Sequence, residues 1–258
     1  MDTKLEKILE VKNLSMVFEN DKMVFKNLSF DVKKGEFLSI LGSSGCGKTT
    51  LLRILIGLIK PSEGKIYLNN DDITNLPPNK RDMGIVFQNF ALFDNMTVYN
   101  NIIYALKFNH KLKNEAKNIT EKLIDIMGLK EYVDTYPGNL SGGQQQRVAI
   151  ARTLALNPKI ILFDEPMSAL DADTRLVMRN ELKNIKLKFD TTMIYVTHDQ
   201  EEAFDMSDRI MVMNKGCIEQ IDTPKNIIKN PKTDYIKTFV VNNLYTKYNS
   251  IEKHLKEV

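Results

Sequence analysis

Apolar and polar positions partly alternate in the opening stretch of the chain, at Phe25, Leu28, Phe30 and Val32. Lys33-Lys34-Gly35 marks a turn, so this stretch predicts strands. Glu36–Leu41 reads as a short apolar strand. It runs directly into GSSGCGKTT at 42–50 and then into an apolar helix ending near Gly57. Pro61 and Gly64 punctuate the exit, and Lys65–Leu68 is another strand. Gly84–Phe87 predicts a further strand. From Phe90 to Asn157 the spacing is mainly helical: Ala116, Ile119, Leu123 and Ile126 share one face, as do Val148, Ala151 and Ala155. Strand character returns at Lys159–Phe163, apolar on both faces. Met178, Leu182, Ile185 and Phe189 stripe the next helix, and Thr192–Val196 is a buried strand. A helix near Gln200–Met206 precedes the strand Arg209–Met213. Strands alternating with helices imply a mostly parallel sheet, so the predicted class is α/β with a helical lobe inserted into its core. Beyond Pro231 the tail is amphipathic at Ile236, Val240 and Leu244, then polar and Lys-rich.

Composition narrows the picture further. The 258 residues give one large domain or a domain with a sub-lobe, at about 150 residues per domain. With 43% hydrophobic and 27% charged residues the chain is neither disordered nor fibrous. The longest apolar stretch, Leu51–Ile59, is interrupted by Arg53 and Gly57 and falls short of the roughly 18 residues a membrane span needs. The charged start MDTKLEKILE lacks a signal peptide's apolar core and predicts a cytoplasmic chain. A net charge of +3 is too small to argue for nucleic-acid binding. Cys46 and Cys217 cannot build a disulfide framework, and the separation of His110, His198 and His254 argues against zinc.

Three segments carry chemistry. Gly42-Ser43-Ser44-Gly45-Cys46-Gly47-Lys48-Thr49 matches G-x-x-x-x-G-K-[ST] between a strand and a helix. Glycines let backbone N–H groups curl around phosphate oxygens, and the following helix points its positive end at them. Lys48 can reach the β- and γ-phosphates, and the Thr49 hydroxyl can ligate Mg²⁺. A plain Gly/Ser turn is the competing reading, against the strand–loop–helix context. The second segment, Ile160–Glu165, is an apolar strand ending in two carboxylates on opposite faces. Asp164 is placed to hold the Mg²⁺ shell and Glu165 to act on the attacking water; a solvated strand end is the alternative. In the third, Leu140-Ser141-Gly142-Gly143-Gln144-Gln145-Gln146-Arg147, Ser141 is a good N-cap and the glycines bare backbone donors. It reads as a capped helix start or as a second anion-binding helix end.

LSGGQQQR resembles the signature motif of ATP-binding cassette (ABC) ATPases, and the similarity extends from residue 8 to residue 241 in that family's motif order. Gln88 in Val86-Phe87-Gln88-Asn89 looks like the Q-loop glutamine, Ser168-Ala169-Leu170-Asp171 like the D-loop, and His198 like the switch histidine. Phe18 occupies the place of the aromatic that stacks on adenine, where tyrosine is commoner. The resemblance implies a phosphate-loop NTPase fold with an N-terminal antiparallel β subdomain and an inserted helical subdomain. Residues 1–89 and 158–230 would form the catalytic core, 90–157 the helical subdomain and 231–258 a helical tail, with no regulatory barrel domain.

The resemblance also assigns roles. ATP would be bound by Phe18, by Gly42, Ser43, Ser44, Gly45, Cys46, Gly47, Lys48, Thr49 and Thr50, and, across a head-to-tail homodimer, by Ser141, Gly142, Gly143 and Gln144. Mg²⁺ would be held by Thr49, Gln88 and Asp164, and hydrolysis carried by Glu165, His198 and Gln88. Each assignment has a competitor. Phe18 reads otherwise as a strand-core residue, Gln88 as a polar loop residue, His198 as a core histidine, Asp171 as a helix cap and Cys46 as filler. Phe90–Ile102, rich in apolar and aromatic residues, reads either as lobe core or as a groove that docks a membrane subunit. Similarity to import ATPases of the maltose, polyamine and ferric-ion types lies here and at Ile194–Ala203 and Ile218–Pro224. It implies an importer subunit on the cytoplasmic face of the membrane. Its partners would be two polytopic permease subunits docking near residues 88–102 and an extracytoplasmic solute-binding protein, with no nucleic acid. The alternatives are an exporter ATPase and a soluble ABC ATPase; a phosphate-loop kinase leaves LSGGQQQR unexplained.

Overall fold

Branched and aromatic residues at alternating positions build the first two strands, β1 (Lys7–Val17) and β2 (Met23–Lys33), whose inward faces bury Leu9, Val11, Phe25 and Val32. The structure, a computed structural model, describes residues 6–18, 22–168 and 170–255. After β2 come β3 (Phe37–Gly42), α1 (Lys48–Ile56), β4 (Glu63–Leu68), the short β5 (Asp71–Asp72) and β6 (Met83–Val86). Then follow α2 (Val98–Phe108), α3 (Ala116–Ile126), α4 (Gly142–Leu154), β7 (Ile160–Asp164) and α5 (Ala172–Phe189). The chain continues through β8 (Thr192–Thr197), α6 (Gln200–Met206), β9 (Arg209–Asn214), β10 (Cys217–Asp222) and α7 (Pro224–Lys229). It ends in α8 (Asp234–Ile236), a π-helical turn (Lys237–Asn242) and α9 (Asn243–Leu255). Among the described residues no helix is long and apolar enough to cross a membrane.

The chain divides into two compact units, residues 1–81 with 192–258, and residues 82–191. In the first, β1 pairs antiparallel with both β2 and β4, giving the expected antiparallel N-terminal sheet. β3 pairs in parallel with β8 on one side and β9 on the other, and β10 closes antiparallel on β9. Every residue of β3 and β8 is buried, as strands covered on both faces require. Leu41, Ala203, Ile210, Val212, Ile227, Ile236 and Val240 form one buried cluster, so the tail positions Ile236 and Val240 belong to this core. The second unit contains the parallel pair β6–β7, helices α2 to α4, and α5.

Two details differ from the periodicity. On α3 the buried face carries Ala116, Thr120, Leu123 and Ile124, while Ile119 and Ile126 are only half-buried. Thr120 is tolerated inside because its hydroxyl donates to the Ala116 carbonyl at 2.7 Å. Arg81 is 2% exposed and ends the first contiguous part of its unit. Its guanidinium donates to the carbonyls of Ile54 (2.7 Å), Leu55 (2.9 Å), Thr74 (2.7 Å) and Leu76 (2.8 Å), capping the C-terminal end of α1 with a cation. Arg81→Met would strip the donors from these carbonyls, and is expected to lower stability by about 3 kcal/mol or more in chemical denaturation. A loss within experimental error would show that water replaces the guanidinium.

Candidate functional site

In the first unit the chain leaves β3 through a loop that only glycine could make. A Cβ on Gly42 would meet the Met213 carbonyl oxygen at 2.4 Å and the Cys46 Sγ at 2.7 Å. Gly47, at φ +106°, is the N-cap of α1 and offers that helix no side-chain cap. By contrast Thr97, Ser141, Asp171, Asp199 and Thr223 each cap their own helices with a side-chain oxygen. Lys48 is 4% exposed, and its Nζ donates to the carbonyls of Gly42 (2.8 Å) and Ser43 (3.1 Å), so the cation is held within its own loop. Ser43, Ser44 and Gly45 are exposed, Thr49 and Thr50 half-buried, and Cys46 buried. A helix end capped by a glycine, an exposed Ser43–Gly45 stretch and an ammonium held in the same loop fit the phosphates of a nucleotide. The Thr49 hydroxyl and the Asp164 carboxylate are hard oxygen donors of the kind Mg²⁺ takes.

His198 lies in the same unit, exposed, immediately after β8. The core-histidine reading is therefore set aside. Its neighbours fix its backbone. Asp199 N–H donates to Thr197 Oγ1 (2.9 Å), and Thr197 Oγ1 donates to the buried Glu202 carboxylate (2.8 Å). Asp199 in turn accepts from the N–H groups of Glu201 (2.8 Å) and Glu202 (3.3 Å) at the start of α6. Phe18 is 40% exposed just past β1, so it is not a strand-core residue either.

The second unit holds the acidic and signature elements. Asp164 is the last residue of β7 and is 7% exposed. Glu165 has already left the strand and takes φ +46°, so the expected alternation across a strand does not separate the two acids; a left-handed residue does. That conformation costs a non-glycine residue of order 1–3 kcal/mol and is found where function imposes it. Gln88 is exposed two residues beyond β6. Its Nε2 donates to Ser168 Oγ at 2.9 Å, and Ser168 Oγ donates to the Glu165 carbonyl at 2.9 Å. The glutamine and the glutamate backbone are thus joined through one hydroxyl.

Ser141 and Gln144 form a reciprocal capping box at the start of α4. Gln144 N–H donates to Ser141 Oγ (3.4 Å), and Ser141 N–H donates to Gln144 Oε1 (2.8 Å). Gly142 and Gly143 sit close to neighbouring side chains: a Cβ would stand 2.9 Å from Leu170 Cδ2 and 3.1 Å from Thr174 Cγ2 respectively. Asp171 does cap α5, accepting from Thr174 N–H (2.9 Å) and its hydroxyl (2.7 Å), and these bonds hold its carboxyl below the ordinary carboxylate range. Ala169 lies outside the described residues.

The Phe90–Ile102 stretch divides between its two readings. Phe90, Val98 and Ile102 are buried, whereas Phe93 begins an exposed aromatic row. Ring centroids run from Phe93 to Tyr104 at 4.9 Å and from Tyr104 to Phe108 at 5.3 Å. Sequence reasoning missed the residue that shapes this loop. Asn101 is fully buried, accepts from Phe93 N–H (2.9 Å), and donates to the carbonyls of Phe93 (3.1 Å), Met96 (3.0 Å) and Thr97 (3.1 Å). Its signal was an asparagine inside an otherwise apolar helix face, where that residue is unfavourable unless its amide is used.

Comparison with known proteins agrees with this set of parts. The ABC transporter family model matches residues 25–168. The spermidine/putrescine import ATP-binding protein PotA of Bacillus cereus is 49% identical over 243 residues, covering 94% of this chain and 74% of the relative. Among solved structures, the ATP-binding cassette MJ0796, in a dimeric post-hydrolysis state bound to ADP and Pi, aligns with a TM-score of 0.74. It is 34% identical, over 84% of this chain and 99% of that one. The cbiO1 protein of Clostridium perfringens, part of the ABC transporter complex cbiONQ, aligns with a TM-score of 0.80 at 28% identity, over 98% of this chain and all of its own.

Proposed function

Because the chain belongs to the ABC transporter family as an ATP-binding, ATP-hydrolysing subunit, we propose that it powers the import of a small polar or charged solute, polyamines foremost. Direction and solute rest on one observation: 49% identity, across 94% of the chain, to a protein named for spermidine and putrescine import.

In this reading the chain works as a homodimer at the cytoplasmic face of a membrane, held there by two permease subunits that dock near residues 88–102. A solute-binding protein delivers the solute from outside. Phe18 stacks on the adenine. The Gly42–Thr50 loop and Lys48 hold the phosphates of one protomer's nucleotide, and the partner protomer presents Ser141, Gly142, Gly143 and Gln144 to them. Thr49, Gln88 and Asp164 would hold Mg²⁺, which would supply charge neutralisation at the phosphates. Glu165 orients and deprotonates the attacking water, and His198 donates to the γ-phosphate. Loss of that phosphate removes the bridge between protomers, and the dimer opens. Residues 90–157 serve as the helical lobe that carries this motion to the permeases.

The test is recovery of the tagged chain from gently solubilised native membranes with its co-purifying proteins identified. Polytopic membrane subunits are expected, and the reconstituted complex should take up radiolabelled spermidine or putrescine in an ATP-dependent manner. Soluble partners alone would overturn the transporter reading; recovered permeases without polyamine uptake would overturn only the solute.

A further inference from the structure

Phe90 and Ala91 are consecutive non-glycine residues in the left-handed region, at φ +58° and +46°. Such a pair is costly, and something outside the turn must hold it. The holder is Arg152 in the last turn of α4. Its guanidinium donates to the carbonyls of Ala91 (2.8 Å) and Phe90 (3.0 Å), and lies 5.2 Å from the centroid of the Phe93 ring. Burial draws the guanidinium below its ordinary pKa, so its charge is spent on these carbonyls in a poorly solvated place. The neighbouring residue, Thr153, packs against β6, the strand that leads into this loop. A Cβ on Gly84 of β6 would meet Thr153 Cγ2 at 2.3 Å, which shows how closely that strand passes the helix. In the chain Gln88 lies between these two contacts. The helix that makes them, α4, starts at the Ser141–Gln144 box.

We propose that Arg152 is a positioning residue for Gln88: by holding the left-handed turn at Phe90–Ala91 it sets the glutamine's place for hydrolysis and ties that place to the signature helix. The inference rests on the role given to Gln88 above. Arg152 touches neither nucleotide nor metal in this account, so its loss should act on turnover and leave nucleotide binding almost intact.

The test uses the full chain, with ATPase kinetics, fluorescent-nucleotide affinity and melting temperature measured together. Arg152→Met is expected to lower kcat about tenfold, one 1.4 kcal/mol step in the barrier, while the nucleotide Kd changes less than about twofold. Adding Ala91→Gly to that variant should restore much of the lost kcat, because glycine enters the left-handed region without the guanidinium's help. Ala91→Val, which keeps Arg152 but disfavours positive φ at an exposed position, should reproduce the kcat loss; it remains informative even if Arg152→Met fails to fold. Unchanged kcat in Ala91→Val would overturn the proposal. So would a joint loss of kcat, affinity and melting temperature in Arg152→Met that Ala91→Gly does not relieve. An inactive wild-type chain would instead count against the hydrolytic reading of the site, which keeps the two failures apart.

Discussion

Glu165→Gln is expected to bind ATP and hold it without turning it over. The substitution keeps the side chain's length and shape, so the left-handed backbone at φ +46° and the Ser168 hydrogen bond to the Glu165 carbonyl have no reason to change. What is lost is a carboxylate able to take a proton from water. General-base assistance is worth about 10²–10⁴-fold in rate, and a loss of that size is expected in steady-state phosphate release. The phosphate loop, meanwhile, lies in other parts of the chain and is untouched. ATP should therefore accumulate in the variant, and with it the dimeric form, visible as a shift in gel filtration with ATP but not with ADP. Unchanged turnover would remove Glu165 from the mechanism and return it to being a solvated residue past a strand end.

Lys48→Ala is expected to fail one step earlier, at nucleotide binding. The ammonium is almost wholly buried and is held by two carbonyls of its own loop. Charge-assisted hydrogen bonds are worth about 1.5–3 kcal/mol each, so the loss of this donor should weaken ATP affinity by about ten- to a hundredfold. Equilibrium titration with a fluorescent ATP analogue reads this directly. Affinity within twofold of the parent, with the fold intact by circular dichroism, would count against the phosphate-loop role. The two variants separate because one alters Kd and the other kcat.

Most of what these predictions need was legible from spacing. Gly42, Gly47 and Lys48 stand where they do because close backbone approach, positive φ and a single cation are each demanded by one residue type, and such demands survive as a pattern. The Ser141–Gln144 box was likewise half visible, since a serine followed three residues later by glutamine is a local signal. Other features left no pattern. Neither left-handed residue of the Phe90–Ala91 turn is a glycine or an asparagine, and the arginine that holds it is 61 residues away from Ala91. Nothing in local propensity links them. Thr120 replaced Ile119 on the buried face of α3 because a hydroxyl can satisfy itself on the preceding turn, which hydropathy does not count. Glu165 read as a strand residue because the strand's apolar run gives no sign of where the backbone turns left-handed.

The division of the chain also orders its birth on the ribosome. Residues 82–191 are contiguous, and both β6 and its partner β7 have been synthesised before β8 begins. The other unit must wait. β3 is made early, but its partners β8 and β9 begin at Thr192 and Arg209, and Ile236 and Val240 complete the cluster around Leu41 only when the tail emerges. Domains fold as they leave the tunnel, and distant pairings form slowly. The glycine-rich loop that follows β3 is therefore synthesised among the first segments and seated in its parallel sheet among the last. Throughout elongation an apolar strand destined to be covered on both sides stays open to other chains, which makes this half of the protein the one that chaperones would have reason to hold.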